Sequence, residues 1–148
     1  MVKPIGKINW TSEEDSLLSE AVAATESGKW NDVSRYYFYT SNFQMFKSPK
    51  HCRERWLNHL DDKKKHGNWT PEEDLSIFKY VAENGKRWCK LVSILKETRT
   101  EHMIKNRFNS LITKMKANKR DKEENMIQKI IRQLKKQLAN IEKRKQKK

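Results

Sequence analysis

One heptapeptide pattern occurs twice in this chain, and it narrows the folds open to it. Asn9-Trp10-Thr11-Ser12-Glu13-Glu14-Asp15 and Asn68-Trp69-Thr70-Pro71-Glu72-Glu73-Asp74 both read Asn-Trp-Thr-x-Glu-Glu-Asp; Ile8 and Gly67 precede them. A second tryptophan follows each, Trp30 after 19 intervening residues and Trp88 after 18. A third large aromatic follows again, Trp56 after 25 and Phe108 after 19. The repeating unit is therefore about 50 to 60 residues long. A segment that short holds little aliphatic core, and a few rings must supply much of it, since one indole buries as much area as several small side chains. Trp10, Trp30, Trp56, Trp69, Trp88 and Phe108 are the expected structural core.

Both opening motifs read as helix starts. Thr11 with Glu14, and Thr70 with Glu73, have the spacing of a capping box, in which the hydroxyl accepts an orphan N–H and the glutamate reaches back. Pro71 falls where a proline is best tolerated, and the acids suit the positive end of the helix dipole. Leu75, Phe78 and Val81-Ala82 recur at helical spacing until Asn84-Gly85 stops the run. The first repeat's opening helix is expected from Ser12 to about Ser27-Gly28. Short second helices begin near Trp30 and Trp88. Third helices are expected over Pro49–Leu60, capped by Ser48, and from Thr100 to about Lys116. The fold class is all-α: repeat one at 7–62 with an aromatic-rich insertion at 38–47, repeat two at 66–116, and a short polar linker between them.

Residues 121–148 read as a further, basic amphipathic helix. Ile127, Ile131, Leu134, Leu138 and Ile141 are spaced 4, 3, 4 and 3, which is a heptad seam. A lone helix of this length is marginal in water. The seam is thus expected to take a protein partner, in a hetero-complex or by self-association, while a phosphate-binding arm and a solvated helix are the other readings. Lys143–Lys148 are expected to fray.

Hydrophobic and charged residues each make up 35% of the chain, so the cores are small and much of the surface is polar. The formal net charge of +14 draws such a chain to polyanions. The charge is unevenly divided: residues 1–112 hold 19 basic and 15 acidic side chains (+4), residues 113–148 hold 14 and 4 (+10). Two cysteines, Cys52 and Cys89, make neither a disulfide framework nor a zinc motif, and His51, His59 and His66 lack metal spacing. No run of about 20 apolar residues is present, nor an apolar secretory leader. The expectation is a soluble intracellular protein without metal, cofactor, small-molecule substrate or membrane partner. No Gly-rich phosphate loop and no nucleophile–base set occurs, so no catalytic role is expected.

The third helices carry side chains suited to reading base edges. Lys50, Glu54 and Asn58 recur at i, i+4 and i+8; Lys105, Asn106 and Asn109 cluster on one face. Lysine donates to guanine O6/N7, glutamate accepts from cytosine N4, and asparagine pairs with adenine N6/N7. Two mid-helix asparagines are poor for helix propensity, which points to a role outside the fold.

Trp10-Thr-Ser-Glu-Glu-Asp, Cys52-Arg-Glu-Arg-Trp-Leu-Asn-His-Leu60, Trp69-Thr-Pro-Glu-Glu-Asp and Ile104-Lys-Asn-Arg-Phe-Asn-Ser110 together resemble the Myb family in its two-repeat form, over about residues 7–116. The resemblance implies a helix-turn-helix variant in each repeat, with both third helices side by side in one DNA major groove. It implies base contacts from Lys50, Glu54, Asn58, His102, Lys105, Asn106 and Asn109, although Glu54 has the alternative of orienting Lys50 or an arginine. Arg53, Arg99, Arg107 and Lys114 are the candidate phosphate contacts. Two features depart from the family pattern. His102 stands where asparagine is common, and the stretch 38–47, with Phe38, Tyr39, Phe43, Met45 and Phe46, is about six residues longer than usual. That stretch reads as a loop folded over its own module or as a partner-binding loop. Cys52 reads as core, and the resemblance also makes it a candidate redox-sensitive thiol.

The expected function is nuclear: double-stranded DNA binding in transcription regulation. Lys63–Lys65, Lys116–Arg120 and Lys143–Lys148 are candidate import signals. The alternative is a non-catalytic DNA-binding subunit of a chromatin- or DNA-modifying enzyme complex, such as a DNA methyltransferase assembly, docked through the C-terminal helix. A SANT-type protein-binding adaptor is a third reading, disfavoured by the basic character of both third helices.

Overall fold

The structure, a computed structural model, describes residues 9–148; residues 7 and 8, expected within the first repeat, lie outside it. Among the described residues all regular structure is helical: α1 (Ser12–Ala24), α2 (Trp30–Thr40), α3 (Pro49–Arg55, continued by a π turn over Trp56–Leu60), α4 (Pro71–Asn84), α5 (Trp88–Ile94), α6 (Glu101–Met115) and α7 (Glu123–Gln146). The chain forms two compact units, one ending at Asp62 and the other beginning at Lys63.

The helix starts follow their local chemistry. Thr11 and Thr70 each accept a backbone N–H from Glu14 and Glu73, whose carboxylates accept the threonine N–H in return. Ser48 and Thr100 cap α3 and α6 by accepting from the amides of His51 and Met103. Gly85, at φ +81°, ends α4 in a conformation that glycine adopts without steric cost.

In the first unit α1, α2 and α3 enclose a core of Leu18, Ala21, Val33, Tyr37 and Cys52. The second unit centres on Ile77, Phe78, Leu91, Ile104 and Phe108, with the Phe78 and Phe108 rings stacked at 4.9 Å. The tryptophans expected at the centre pack instead around it, half-buried. Their bulk shields the small cores while one edge stays in solvent, and in the first unit the fully buried ring is Tyr37.

The C-terminal helix corrects an expectation. Ile127, Ile131 and Leu134 of the heptad seam, joined by Met126 and Ile130, are buried in the second unit; Leu138 and Ile141 are half-buried. α7 packs chiefly on α4 and also on α6, so the second unit has four helices. The first three positions of the seam expected to take a partner are covered by the chain's own repeat, because three short helices leave Ile77, Val81, Leu111 and Met115 in need of cover. α7 also stays helical to Gln146, past the start of the run expected to fray.

The 38–47 stretch is partly helical, since α2 runs to Thr40. Beyond it Asn42 and Phe43 take left-handed φ values of +56° and +61°. Ser41 accepts the Met45 amide, and Ser34 donates to the Lys47 carbonyl. Phe38, half-buried, meets Tyr39, Phe43 and Phe46 at ring separations of 5.3–6.2 Å, while those three rings remain mostly exposed. The cluster packs largely on itself, and only Met45 joins the core.

Candidate nucleic-acid interface

α6 divides cleanly by chemistry. Ile104 and Phe108 are fully buried, whereas His102, Lys105, Asn106 and Asn109 are all exposed along the opposite side. Within that face Asn106 Nδ2 lies 3.0 Å from His102 Nε2, one helical turn away. With an unprotonated Nε2, the amide donates one N–H to the imidazole. Its second N–H and its Oδ1 are then left pointing outward, the donor–acceptor pair that adenine N7 and N6 require.

The third helix of the first unit is less regular. Lys50 and Glu54 are exposed and sit 3.9 Å apart, a weak surface pair that still holds the two heads together. Arg53 is exposed beside them. The π turn closes with the Asp61 amide donating to the Trp56 carbonyl at 2.8 Å. Asn58 lies inside this i→i+5 turn and is half-buried, so the i, i+4, i+8 face expected from an unbroken helix ends at Glu54.

Two of the four candidate phosphate contacts have structural roles. Arg99 is 2% exposed. It donates to both Glu73 oxygens and to the carbonyls of Lys65, Gly67 and Asn68, and its guanidinium lies 4.1 Å from the Trp69 ring centroid. No edge is left for a phosphate; Arg99 instead fastens the linker's end to the second unit. Arg107 donates through Nε and Nη2 to the two Asp74 oxygens, each at 2.8 Å, a structural role that leaves its side chain 24% exposed. Arg53 and Lys114 are exposed.

These ion pairs recur in both units. Arg55 grips Asp15 as Arg107 grips Asp74, with two bonds of 2.8 Å. Lys47 reaches Glu14 at 2.7 Å and lies 4.8 Å from the Trp10 ring, as Arg99 does with Glu73 and Trp69. The last two acids of each Glu-Glu-Asp therefore hold the third helix, or its approach, against the first. Burial pushes the Glu14 carboxyl up, but the bonds from Lys47 and Thr11 outweigh it and leave the pKa lowered. Glu73 is likewise raised by burial and brought below its ordinary value by Arg99 and the Thr70 amide. Sequence reading missed this use of the motif, although the cation preceding the third aromatic in both repeats, Arg55 before Trp56 and Arg107 before Phe108, was its signal. Cys52 is fully buried, and burial raises its thiol to about 11, an environment that keeps the nucleophilic thiolate scarce.

Charge is partitioned between the units. Residues 1–62 carry 8 basic and 9 acidic side chains, a net −1; residues 63–148 carry 25 and 10, a net +15.

Two successive helical modules, each tying its third helix to its first by an Asp–Arg pair, define a tandem helix-turn-helix-type protein. Family models described as the Myb-like DNA-binding domain match residues 10–76 and 66–112. The chain is 37% identical to the Trichomonas vaginalis Myb3 DNA-binding domain, solved bound to a promoter sequence; the match covers 78% of this chain and 92% of that one, with a TM-score of 0.60. The Trichomonas vaginalis Myb2 structure, in complex with MRE-1-12 DNA, is 30% identical over 73% of this chain and 96% of the other, with a TM-score of 0.61. The chain belongs to the Myb-like DNA-binding domain family. Among full-length relatives it is 38% identical over 74% of its length to bradyzoite-formation deficient protein 1 of Toxoplasma gondii, and 37% over 75% to transcription factor MYB101 of Arabidopsis thaliana. It spans only 4% and 21% of those proteins. α7 lies beyond both family matches.

Proposed function

We propose that this chain binds double-stranded DNA in the major groove and acts in the nucleus as a transcription regulator, without catalysis of its own. The observation that carries the reading is the α6 face, where His102, Lys105, Asn106 and Asn109 are presented together on a helix anchored by the fully buried Ile104 and Phe108. Lys105, Asn106 and Asn109 read base edges there, and His102 supports Asn106. In the first unit Lys50 and Glu54 face the bases as a pair, with Asn58 nearer the helix end. Arg53 and Lys114 contact phosphates, which set register while the base contacts set sequence. The short linker makes docking of the second module effectively intramolecular once the first is bound. The promoter-bound and MRE-1-12-bound relatives support this reading.

A DNA-binding subunit docked to an enzyme assembly through the heptad seam is disfavoured, because Ile127, Ile131 and Leu134 are already buried. The test is selection from random-sequence duplexes. The native chain is expected to enrich one short motif, and Asn106→Ala to lose preference at one position of it. Salt-sensitive binding that enriches no motif would sink sequence-specific recognition.

A further inference from the structure

α7 lies outside the family match, and its exposed cations surround the helix while Glu124 and Glu142 keep to one side. Gln133 and Gln137 line a cleft together with Lys114 of α6, so this flank of α7 borders the C-terminal half of α6. At helical spacing the flank continues through Lys129, Lys136, Asn140 and Arg144, all exposed, without a carboxylate. Glu124 and Glu142 fall on the opposite flank, with Lys135. The turn that joins the two helices is held as well: the Asp121 carboxylate accepts the amides of Ala117 and Asn118 at 3.0 Å.

We propose that the α7 flank bearing Lys129, Lys136 and Arg144 is a second nucleic-acid surface, which grips the phosphate backbone of the duplex that α6 reads. The proposal rests on α6 facing DNA, and charge complementarity commits the flank to a polyanionic backbone. Cations and amide donors in file along a rigid helix match a row of phosphates, and nothing in the file selects a base. The buried side of α7 anchors the flank. Ile127, Ile130, Ile131 and Leu134 fix its first half to the helices that hold α6, so Lys129 and Lys136 are presented beside a packed segment, and Arg144 continues the same flank on the helix beyond it. Recognition of sequence and grip on the backbone thereby occupy adjoining helices of one unit.

The test compares two doubly substituted full-length chains that lose equal charge. Lys129→Gln with Arg144→Gln alters the proposed flank, and Arg132→Gln with Lys135→Gln alters the side away from the cleft. Glutamine keeps helix propensity, and thermal unfolding checks that both chains fold. Affinity is measured from about 50 to 200 mM salt on the selected duplex and on an unrelated one. Loss of the flank pair is expected to weaken both duplexes by a similar factor, roughly 5- to 20-fold. It is also expected to make the slope of log K against log salt shallower by about 2, with the enriched motif unchanged. The control pair is expected to move the slope by less than about half as much. Equal slope changes for the two pairs, no change for either, or a loss confined to the selected duplex would each overturn the proposal. If the native chain enriches no motif, sequence-specific recognition fails, while the unrelated duplex still tests the flank.

Discussion

Arg107 closes a bidentate pair on Asp74, with Nε and Nη2 each 2.8 Å from a carboxylate oxygen. Asp74 sits in the first turn of α4 and Arg107 midway along α6, so the pair fixes how α6 is rotated about its own axis. That rotation decides which side chains look outward. Asn106 is the residue before Arg107, and a helix turned by one position would carry it off the exposed face.

Arg107→Ala is therefore expected to act on stability before it acts on DNA. The Asp74 side chain is only 5% exposed, and removing its partner strands a largely buried charge. The cost is about 3 kcal/mol, at the lower end for a broken buried pair because Arg107 itself is partly solvated. Arg107→Lys recovers little, since an ammonium cannot reproduce the two-pronged geometry. Urea unfolding gives the cost. A variant of native stability whose DNA salt slope falls by about 1 would make Arg107 a phosphate contact instead.

The His102–Asn106 contact makes a prediction about specificity. Asn106→Ala is expected to reduce discrimination at one base position by about 1–3 kcal/mol, and His102→Ala by less at the same position. In the double variant the histidine change should add almost nothing, because it acts through the asparagine. Competition binding against duplexes altered at each position measures all three. Losses at two different positions would show that His102 reads a base independently.

Stability should fall with acid in a manner set by Glu14 and Glu73. Both carboxyls are lowered below 4.5 in the folded chain, so folding disfavours their protonation. The stabilisation is complete above the unfolded value and drains away as pH falls through the folded one. Urea midpoints between about pH 3 and 6 should show this decline. Glu14→Gln and Glu73→Gln, which keep a capping side chain, should flatten it. A native midpoint independent of pH across that window would contradict the pairing.

Leu134→Ala should cost the second unit about 2–4 kcal/mol, as expected for a leucine truncated in a packed core. The native chain should sediment as a monomer over a wide concentration range. Concentration-dependent dimers that Leu134→Ala abolishes without lowering stability would restore the seam as an interface between chains.

Much of this was legible in the sequence, and the losses have physical causes. Caps, helix starts and the repeat are encoded within a few residues, so Thr11, Thr70 and Pro71 could be read directly. The outward residues of α6 followed from helical periodicity. Arg99 misled because a basic side chain near a polar helix face looks the same whether it meets a phosphate or a carboxylate 26 residues away. The heptad of α7 was real, but periodicity says that a helix has an apolar side and not what covers it. Only the shortage of core in the second repeat shows why the cover is internal. The π turn that displaces Asn58 left no mark in Trp56–Leu60 that spacing could detect.

The division of charge between the units has a kinetic consequence. With net +15 on one and −1 on the other, long-range attraction to a polyanion acts almost wholly on the second. That unit is expected to dominate the encounter with a duplex, and the first to add little to long-range capture. Removing cations from the second unit should then slow arrival far more than removing the same number from the first, with the difference fading as salt rises.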